Sequence, residues 1–286
     1  MADPDRRRRL RLVLAVFLIF SLLATAVWGE TGALPARDWN LKNLERLQAL
    51  KADTVSFAVL GDSRDNIPVF AGLLRQMARD PGVKFAIHLG DMVNQGELEG
   101  YRSFFQSLRQ YLHMPLLAVI GNHELAGDPE GKLYSEIFGP RNFSFPLGNH
   151  YFIIFDDVGK SGPDAAQVRW LAGELQKARN YKTRLVFLHT PLFDPRGGEH
   201  HHCLPPESGR RLAALFKQYR VTYVFAGHIH GYFEGRWGRV PYAVTAGGGA
   251  KLYGTDPEHF FFHYLKVTLQ GDRIQIQVRR LEEEGR

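Results

Sequence analysis

The sequence predicts an α/β layered sandwich, in which helices pack on β-sheets. From residue 53, short apolar segments rich in β-branched and aromatic residues alternate with amphipathic segments of helical period. The last part of the chain then contains strand patterns alone and ends in the period-two alternation of RIQIQVRR. Alternating strands and helices followed by strands are typical of sheets covered by helices.

The composition is that of a globular protein without features of nucleic-acid binding. The 286 residues are 44% hydrophobic and 23% charged, which is ordinary for a globular protein and long enough for one large domain or two small ones. Half of the net charge of +6 comes from the first 11 residues, and no dense basic patch interleaved with aromatics follows. We therefore expect no nucleic-acid partner. Cys203 is the only cysteine of the sequence, so no intrachain disulfide can form.

Residues 1–28 predict a signal peptide or an N-terminal membrane anchor. An arginine cluster precedes an apolar run of 17 residues that ends at Trp28. This run is near the lower limit for spanning a bilayer and long for a signal-peptide core. Ala24-Thr25-Ala26 resembles a cleavage site, but Val27 and Trp28 continue the apolar run beyond it. In both interpretations the remainder is exported, to the periplasm or another extracytoplasmic space, and any membrane association would involve residues 10–28.

Residues 29–52 predict a connector that contains a short helix. Leu41, Leu44, Leu47 and Leu50 recur at every third position, which indicates an amphipathic helix. It would pack against the domain that follows, at residues 53–281, or lie on the membrane surface. Residues 282–286 predict a polar tail.

Strands and helices alternate within residues 53–281. The predicted strands, in chain order, are TVSFAVL, VKFAIHL, MPLLAVI, HYFIIF, TRLVFL, VTYVFA, VPYAVT, FFFHYLKVTLQ and RIQIQVRR. Helices are predicted over residues 67–79, 97–112, 164–179 and 206–219.

Five of these strands end in a side chain that can bind a metal ion. The ligands are Asp62, Asp91, Asn122, His189 and His228, with His230 two residues further on. Sites in open α/β sheets form at the carboxyl ends of strands, so we expect these six to share one edge of one sheet. His228 and His230 point to the same side if the segment is extended. Each residue alone also fits an ordinary turn or strand exit, and their coincidence favours a metal site.

The same motifs carry a family resemblance. The series Gly61-Asp62, Gly90-Asp91, Gly121-Asn122-His123-Glu124, His189 and Gly227-His228-x-His230 resembles the calcineurin-like metallophosphoesterases, which include the purple acid phosphatases. The match covers about residues 53 to 250. It implies a four-layer α-β-β-α sandwich with two mixed sheets, and a hydrolase that acts on phosphoric esters.

The resemblance also implies a dinuclear metal centre. Asp91 would bridge both ions, and Asp62 with His230 would complete the first site. Asn122, His189 and His228 would hold the second site. Paired ions clamp the attacking and leaving oxygens, and a water bound between them becomes the nucleophile. Nitrogen and oxygen ligands without thiolate fit divalent or mixed-valence Mn, Fe, Zn or Co.

Two further residues receive catalytic roles from the resemblance. His123 matches a histidine that is not a ligand and that donates a proton to the leaving-group oxygen. Glu124 occupies the position of an acidic residue and is expected to orient His123.

The sequence departs from the family pattern in the first motif. Many members have Asp-x-His there, whereas this chain has Asp62-Ser63-Arg64. Purple acid phosphatases also lack that histidine and supply a tyrosine, where this chain has Asn94. Asn94 or a water would fill the vacant ligand position, and no purple colour is expected without tyrosinate. Arg64 is either a surface residue or a ligand for phosphoryl oxygens.

Two other segments allow two interpretations each. His200, His201 and His202 follow the strand of His189 and are either solvated or in contact with substrate or a further ion. The glycines at 247–249 either form a turn or let the backbone approach the same cleft.

The sequence therefore favours an exported, metal-dependent phosphoesterase with a phosphoester substrate. The alternative is a non-catalytic domain that keeps the fold and binds metal or phosphate. Monoesters, diesters and lipid-linked phosphates are not distinguished, because the loops that contact substrate vary on one fold.

Overall fold

The computed structural model describes residues 33–50, 54–198 and 201–282. The chain divides into two units, Met1–Pro35 and Ala36–Arg286, and every described helix and strand lies in the second. The predicted signal peptide or anchor lies outside the described residues, as do residues 283–286 of the predicted polar tail. Among the described helices, none combines the length and the apolar character needed to cross a bilayer.

The helices and strands alternate along most of the chain. The described α-helices are α1 (Trp39–Gln48), α2 (Ile67–Arg79), α3 (Leu98–Tyr111), α4 (Lys132–Phe138), α5 (Ala165–Lys177) and α6 (Pro206–Gln218). Short 3₁₀ turns lie at His123–Leu125 and Ala178–Asn180. The described strands are β1 (Thr54–Leu60), β2 (Val83–His88), β3 (Leu116–Ala118), β4 (Phe143–Leu147), β5 (His150–Ile154), β6 (Thr183–Phe187), β7 (Tyr223–Ala226), β8 (Tyr232–Trp237), β9 (Val240–Thr245), β10 (His263–Gln270) and β11 (Arg273–Arg280).

These strands form two mixed sheets. The first has the order β11-β10-β1-β2-β3, and the second has the order β4-β5-β6-β7-β9-β8. In the first sheet β1, β2 and β3 run parallel, while β10 is antiparallel to both of its neighbours. In the second sheet β5, β6, β7 and β9 run parallel, with antiparallel strands at both edges. The predicted α/β fold with two mixed sheets is confirmed.

The two sheets face each other across an aromatic core. Phe57 on β1 lies with its ring centroid 5.4 Å from that of Phe152 on β5, and 6.1 Å from that of Phe187 on β6. All three side chains are fully buried. Successive side chains of a strand point to opposite faces, so each sheet keeps a second apolar face for helices.

Helices cover those outer faces. Leu171 of α5 and Phe216 of α6 belong to one buried cluster with Val186 and Val224 of the second sheet. On the first sheet, Phe104 of α3 lies over the ring of His88 on β2, at 5.6 Å. Helices therefore lie outside both sheets, which gives the four layers expected from the resemblance.

The connector helix α1 packs against β3 at the edge of the first sheet. The buried Asn40 side chain donates to the backbone oxygen of Ala118 at 3.1 Å and accepts from its backbone nitrogen at 2.8 Å. Leu47 is 1% exposed, whereas Leu41 is 41% exposed. The expected packing is therefore made by Leu47 with the partly buried Leu44 and Leu50, and by Asn40, whereas Leu41 is exposed.

Candidate metal centre

The strand ends of both sheets converge on one cluster. Asp62 and Asp91 follow β1 and β2 of the first sheet, and His189 and His228 follow β6 and β7 of the second. The expectation that all ligands share one edge of one sheet is therefore wrong. A hydrogen bond joins the ends of the two sheets here: the His189 Nδ1–H donates to the Leu89 backbone oxygen at 2.7 Å.

Unusual backbone conformations present three of these side chains. Asp62, Asp91 and His228 have positive φ angles of 59°, 56° and 72°. This left-handed region is uncommon for residues other than glycine, and such strained conformations concentrate at functional sites. Each chain segment therefore turns sharply at the residue whose side chain enters the cluster.

Glycines leave the room that this convergence needs. A Cβ on Gly227 would lie 2.7 Å from Asp62 Oδ2 and 3.1 Å from the Leu89 oxygen. A Cβ on Gly121 would collide with the backbone nitrogen and the carboxylate of Asp91. Gly227 thus allows the ends of the two sheets to approach, and Gly121 allows the loops after β2 and β3 of the first sheet to do so.

Two groups of ligand atoms share Asp91. One consists of Asp62, Asp91 and His230, and the other of Asp91, His189 and His228, with the atoms of each group within 4.8 Å of one another. Asn122 joins the second group, because its Oδ1 lies 2.9 Å from His189 Nε2. The six residues predicted as ligands are therefore brought together.

Backbone carbonyls fix which ring nitrogen faces the cluster. His189 uses its Nδ1–H on Leu89, and the His230 Nδ1–H donates to the Lys251 oxygen at 2.6 Å. Their Nε2 atoms then lie 3.5 Å from carboxylate oxygens of Asp91 and Asp62, respectively. Histidine ligands of metals are commonly oriented in this way.

The electrostatics of the cluster fit a bound cation. Burial raises the pKa of Asp62 to about 8, and the charge of Asp91 adds to the rise. Burial lowers the pKa of His189, but the carboxylates of Asp91 and Asp62 outweigh it and raise that pKa to about 9. Burial and the charge of His189 lower the pKa of His228 to about 3. Positive charge between two buried carboxylates this close stabilises both as anions, and mixed carboxylate, amide and imidazole donors suit divalent ions.

Comparisons with known proteins agree with this geometry. The model of the calcineurin-like phosphoesterase family matches residues 55–232. The chain belongs to this family. A serine/threonine-protein phosphatase, CPPED1, of Danio rerio is 29% identical over 191 residues, which cover 60% of this chain and 62% of the relative.

Two further proteins are similar. An Fe(3+)-Zn(2+) purple acid phosphatase of Arabidopsis thaliana is 27% identical over 143 residues, which cover 43% of this chain and 30% of the relative. The solved structure of a purple acid phosphatase from Lupinus luteus superposes with a TM-score of 0.66 at 17% identity, over 80% of this chain and 52% of that one. The chain thus spans less than two thirds of the length of either curated relative.

Glu124, a residue of the family motif, anchors backbone and does not orient His123. Its buried carboxylate accepts hydrogen bonds from the backbone nitrogens of Asp91, Met92 and Gly121 at 2.6–2.8 Å, and from Val93 at 3.3 Å. The His123 Nδ1–H instead donates to the Asn94 oxygen at 2.8 Å. The expected role of Glu124 is wrong because its carboxylate faces the loop after β2.

Arg64 and Asn94 contact each other. These are the two residues at which the sequence departs from the family pattern. The Arg64 NH1 donates to Asn94 Oδ1 at 3.0 Å and to Asp65 at 2.9 Å. Its Nε is buried without a hydrogen-bond partner among the described residues, 3.8 Å from Asp91 Oδ2. The Asn94 amide oxygen is therefore engaged by Arg64, and an unsatisfied donor faces the cluster.

The histidine loop lies near the second ligand group. The ring centroid of His202 is 6.2 Å from that of His228, and His201 lines a cavity beside the cluster. Asp194 holds the loop by accepting from the backbone nitrogen of His202 at 3.0 Å. His200 is outside the described residues.

Sequence reasoning missed two residues of this site. Asp157 is fully buried and accepts from the backbone nitrogens of His189 and Thr190, both at 2.8 Å. A signal existed, because Asp157 closely follows β5 just as the ligands follow their strands. The ring of Tyr253 stacks on His230 at 5.0 Å while 63% exposed, and no sequence pattern pointed to it.

The glycines at 247–249 pack against the first motif. The Gly248 nitrogen donates to the Gly61 oxygen at 2.9 Å, and a Cβ on Gly248 would collide with that oxygen. Of the two interpretations, close backbone approach is the one observed.

Proposed function

We propose that this protein is a metal-dependent phosphoesterase that uses a dinuclear centre. The observation that carries the proposal is the sharing of Asp91 by two ligand groups. Family membership supports phosphoester hydrolysis as the reaction. A carboxylate common to two groups is what a metal pair requires, because one anion offsets part of both charges.

The geometry of this chain supports one set of ligands for each ion. Asp62, Asp91 and His230 would hold the first ion, and Asp91, Asn122, His189 and His228 the second. Mn, Fe, Zn or Co fit these donors, and an iron–zinc pair is named for one relative. When bound, such a pair supplies Lewis acidity and a nucleophilic water. The Asn94 amide oxygen already accepts from Arg64, so it would bind the first ion through its second lone pair or after leaving Arg64.

Arg64 would bind the phosphoryl group. Its Nε is the buried donor without a partner, and a phosphoryl oxygen would satisfy it. Hydrogen bonds from arginine to phosphate are strong because both groups are charged. NH1 stays tied to Asn94 and Asp65, so the guanidinium is held in place before substrate arrives.

His123 would protonate the leaving oxygen. The Asn94 carbonyl can only accept, so the hydrogen stays on Nδ1, and Nε2 is the nitrogen that faces the carboxylate of Asp91 at 3.9 Å. The ring can give a proton from Nε2 only when both nitrogens are protonated. Its side chain is 29% exposed, so it can contact a substrate.

Export is a proposal from the sequence of residues 1–28. A fusion of residues 1–52 to a reporter that is active only outside the cytoplasm tests it, and activity is expected. Edman sequencing of the protein purified after export then distinguishes a cleaved signal peptide from an anchor. A new N-terminus near residue 27 means a cleaved signal peptide, whereas retention of residue 1 or 2 means an anchor.

The experiment that tests the proposed function is a metal analysis coupled to a phosphoester panel. The purified protein should contain about two transition-metal ions per chain. It should hydrolyse p-nitrophenyl phosphate or bis-p-nitrophenyl phosphate, and chelation should abolish turnover. Full metal loading without hydrolysis of any ester would instead support the non-catalytic alternative, which rests on the lost histidine of the first motif.

A further inference from the structure

A cavity of about 780 Å³ opens beside the metal-ligand cluster, and none of the steps above uses it. Asn122 and His228, both from the second ligand group, form part of its lining. The cavity and the cluster are therefore continuous. Its volume is in the range of sites that hold a drug-sized organic ligand. A phosphoester bound at the cluster would have this space beside it for the group esterified to phosphorus.

The lining of this cavity selects an apolar occupant. Most of the lining surface is apolar, and Leu125, Val158, Leu204 and Pro205 contribute to it. The described lining contains no Phe, Tyr or Trp, and His201 is its one aromatic ring outside the ligand groups, so it offers a nucleobase no pair of aromatic faces. Outside the ligand groups, Lys160, Thr190 and His201 are the strongly polar side chains of the lining, too few to replace the water that a sugar or peptide would lose.

We propose that this cavity, the leaving-group cleft, binds an aliphatic hydrocarbon group, so that the substrates are phosphoesters of apolar aliphatic alcohols. The inference rests on the proposed phosphoesterase function and specifies its substrate class. Hydrolysis consumes one water: its oxygen bonds to phosphorus, and the ester P–O bond breaks. The leaving alkoxide takes a proton from His123 and departs as the alcohol, and the proton lost by the attacking water passes to solvent, from which His123 is reprotonated.

Chain-length dependence of binding tests the cleft without catalysis. Unbranched alkylphosphonates with two to eight carbons carry a P–C bond that is not hydrolysed. Isothermal titration of the full-length, metal-loaded protein should show affinity rising about twofold to fourfold per methylene until the cleft is filled. Equal affinity for ethyl- and octylphosphonate, or no binding of either, would overturn the inference.

Turnover separates this inference from the proposed function. Primary alkyl phosphates of increasing length have leaving groups of nearly equal basicity, so chain length changes kcat/KM mainly through the cleft. Hydrolysis of p-nitrophenyl phosphate, with phosphonate affinities that do not depend on chain length, would support the proposed function and contradict hydrocarbon binding in the cleft. Affinities that rise with chain length, without hydrolysis of any ester, would support hydrocarbon binding and contradict the proposed function.

A pair of matched variants tests whether the dependence on chain length arises in the leaving-group cleft. Ala126 lines the cleft and is half-buried, whereas Ala166 is exposed on α5 and is not a lining residue. Ala126→Phe should reduce the ratio of octyl- to ethylphosphonate affinity by about tenfold or more, because the new ring fills the cleft. Ala166→Phe should leave that ratio unchanged. An unchanged ratio in Ala126→Phe would place the hydrocarbon elsewhere.

Discussion

Three backbone oxygens determine which ring nitrogen each of three histidines presents at this site. Backbone oxygens of Leu89, Lys251 and Asn94 each accept the Nδ1–H of one histidine, so each ring presents its Nε2. Two of these rings belong to the ligand groups, and the third, His123, does not. The same type of hydrogen bond would thus serve metal binding at His189 and His230 and proton donation at His123.

The role of His123 predicts a loss of rate without loss of metal. His123→Ala should retain both ions and lose about 10²–10⁴-fold in kcat on an alkyl phosphate. The loss should be smaller on p-nitrophenyl phosphate, whose leaving group hardly needs a proton. Steady-state kinetics and metal analysis measure both effects, with the exposed His113→Ala as the control. Metal loss in His123→Ala would make the ring a ligand.

The role of Arg64 predicts weaker substrate binding at constant metal content. Arg64→Ala should raise KM or lower kcat/KM by about 10-fold or more, since a charged hydrogen bond to phosphate is lost. Arg64→His should instead restore the usual family ligand and tighten the first ion. Titration of the apo proteins with Mn²⁺ compares both variants with wild type.

Asn94→Ala tests whether Asn94 fills the ligand position of the first ion that the family's histidine usually occupies. Weaker Mn²⁺ binding in this variant would identify Asn94 as a ligand, and normal binding would assign the position to water. Wild-type kinetics in Arg64→Ala would return Arg64 to the role of an ordinary loop residue.

At this scale, the sequence predicted residue identities better than residue partners. Asp91 and the histidines were recognisable because their side chains follow predicted strands. The carbonyls of Leu89 and Lys251 were not, because a backbone oxygen leaves no trace in residue type. Glu124 was assigned to His123 for the same reason, since its actual partners are backbone nitrogens.

The loops after the strands act as one element held together by Glu124. Its two carboxylate oxygens bind nitrogens from the loop after β2 and from Gly121 after β3. These loops carry Asp91 and Asn122. Burial, with the charge of Asp91, raises the pKa of Glu124 to about 7, so holding this carboxylate costs free energy that its hydrogen bonds offset.

Glu124→Gln is therefore expected to loosen both loops. The amide would turn a donor towards a backbone N–H and leave it unsatisfied, at a cost of about 1–3 kcal/mol in the free energy of unfolding. Metal affinity should fall as well, although Glu124 is not a ligand. Denaturant unfolding and Mn²⁺ titration measure the two effects, with the exposed Glu136→Gln of α4 as the control. Unchanged stability and affinity would contradict the anchoring role.

Three elements, β4, β8 and α4, were not predicted because their sequences lack a clear strand or helix pattern. β4 and β8 are the two edge strands of the second sheet. β4 contains Pro146, and β8 contains Gly235 and the exposed Glu234, so neither shows a clean strand pattern. α4 has only seven residues, which is too short for helical periodicity to be read. The inner strands were predicted because they are buried and therefore apolar along most of their length.

The candidate metal centre lies where the ends of the two sheets meet. Asp62 and Asp91 come from the first sheet, while His189 and His228 come from the second. The sequence could not reveal this division, because strand order depends on long-range pairing such as that of β1 with β10. An ion bound here joins both halves of the sandwich, so its binding free energy adds to the stability of the whole fold.

Metal should therefore raise the melting temperature of the apo protein. At a free Mn²⁺ concentration of 100 times Kd, one site adds about 2.7 kcal/mol to the free energy of unfolding. Differential scanning calorimetry with and without Mn²⁺ should show the shift, and Mg²⁺, which prefers oxygen ligands, should give a smaller one. A melting temperature insensitive to every transition metal would contradict a site built from both sheets.

The shared carboxylate of Asp91 is the central claim, and one titration tests it most directly. Apo wild-type protein should bind two Mn²⁺ ions per chain, as counted by isothermal titration calorimetry. Asp91→Asn should weaken both binding events together, because one side chain serves both ligand groups. Asp62→Asn, the matched control, should weaken only the first ion. Two ions bound with wild-type affinity by Asp91→Asn would contradict the dinuclear centre.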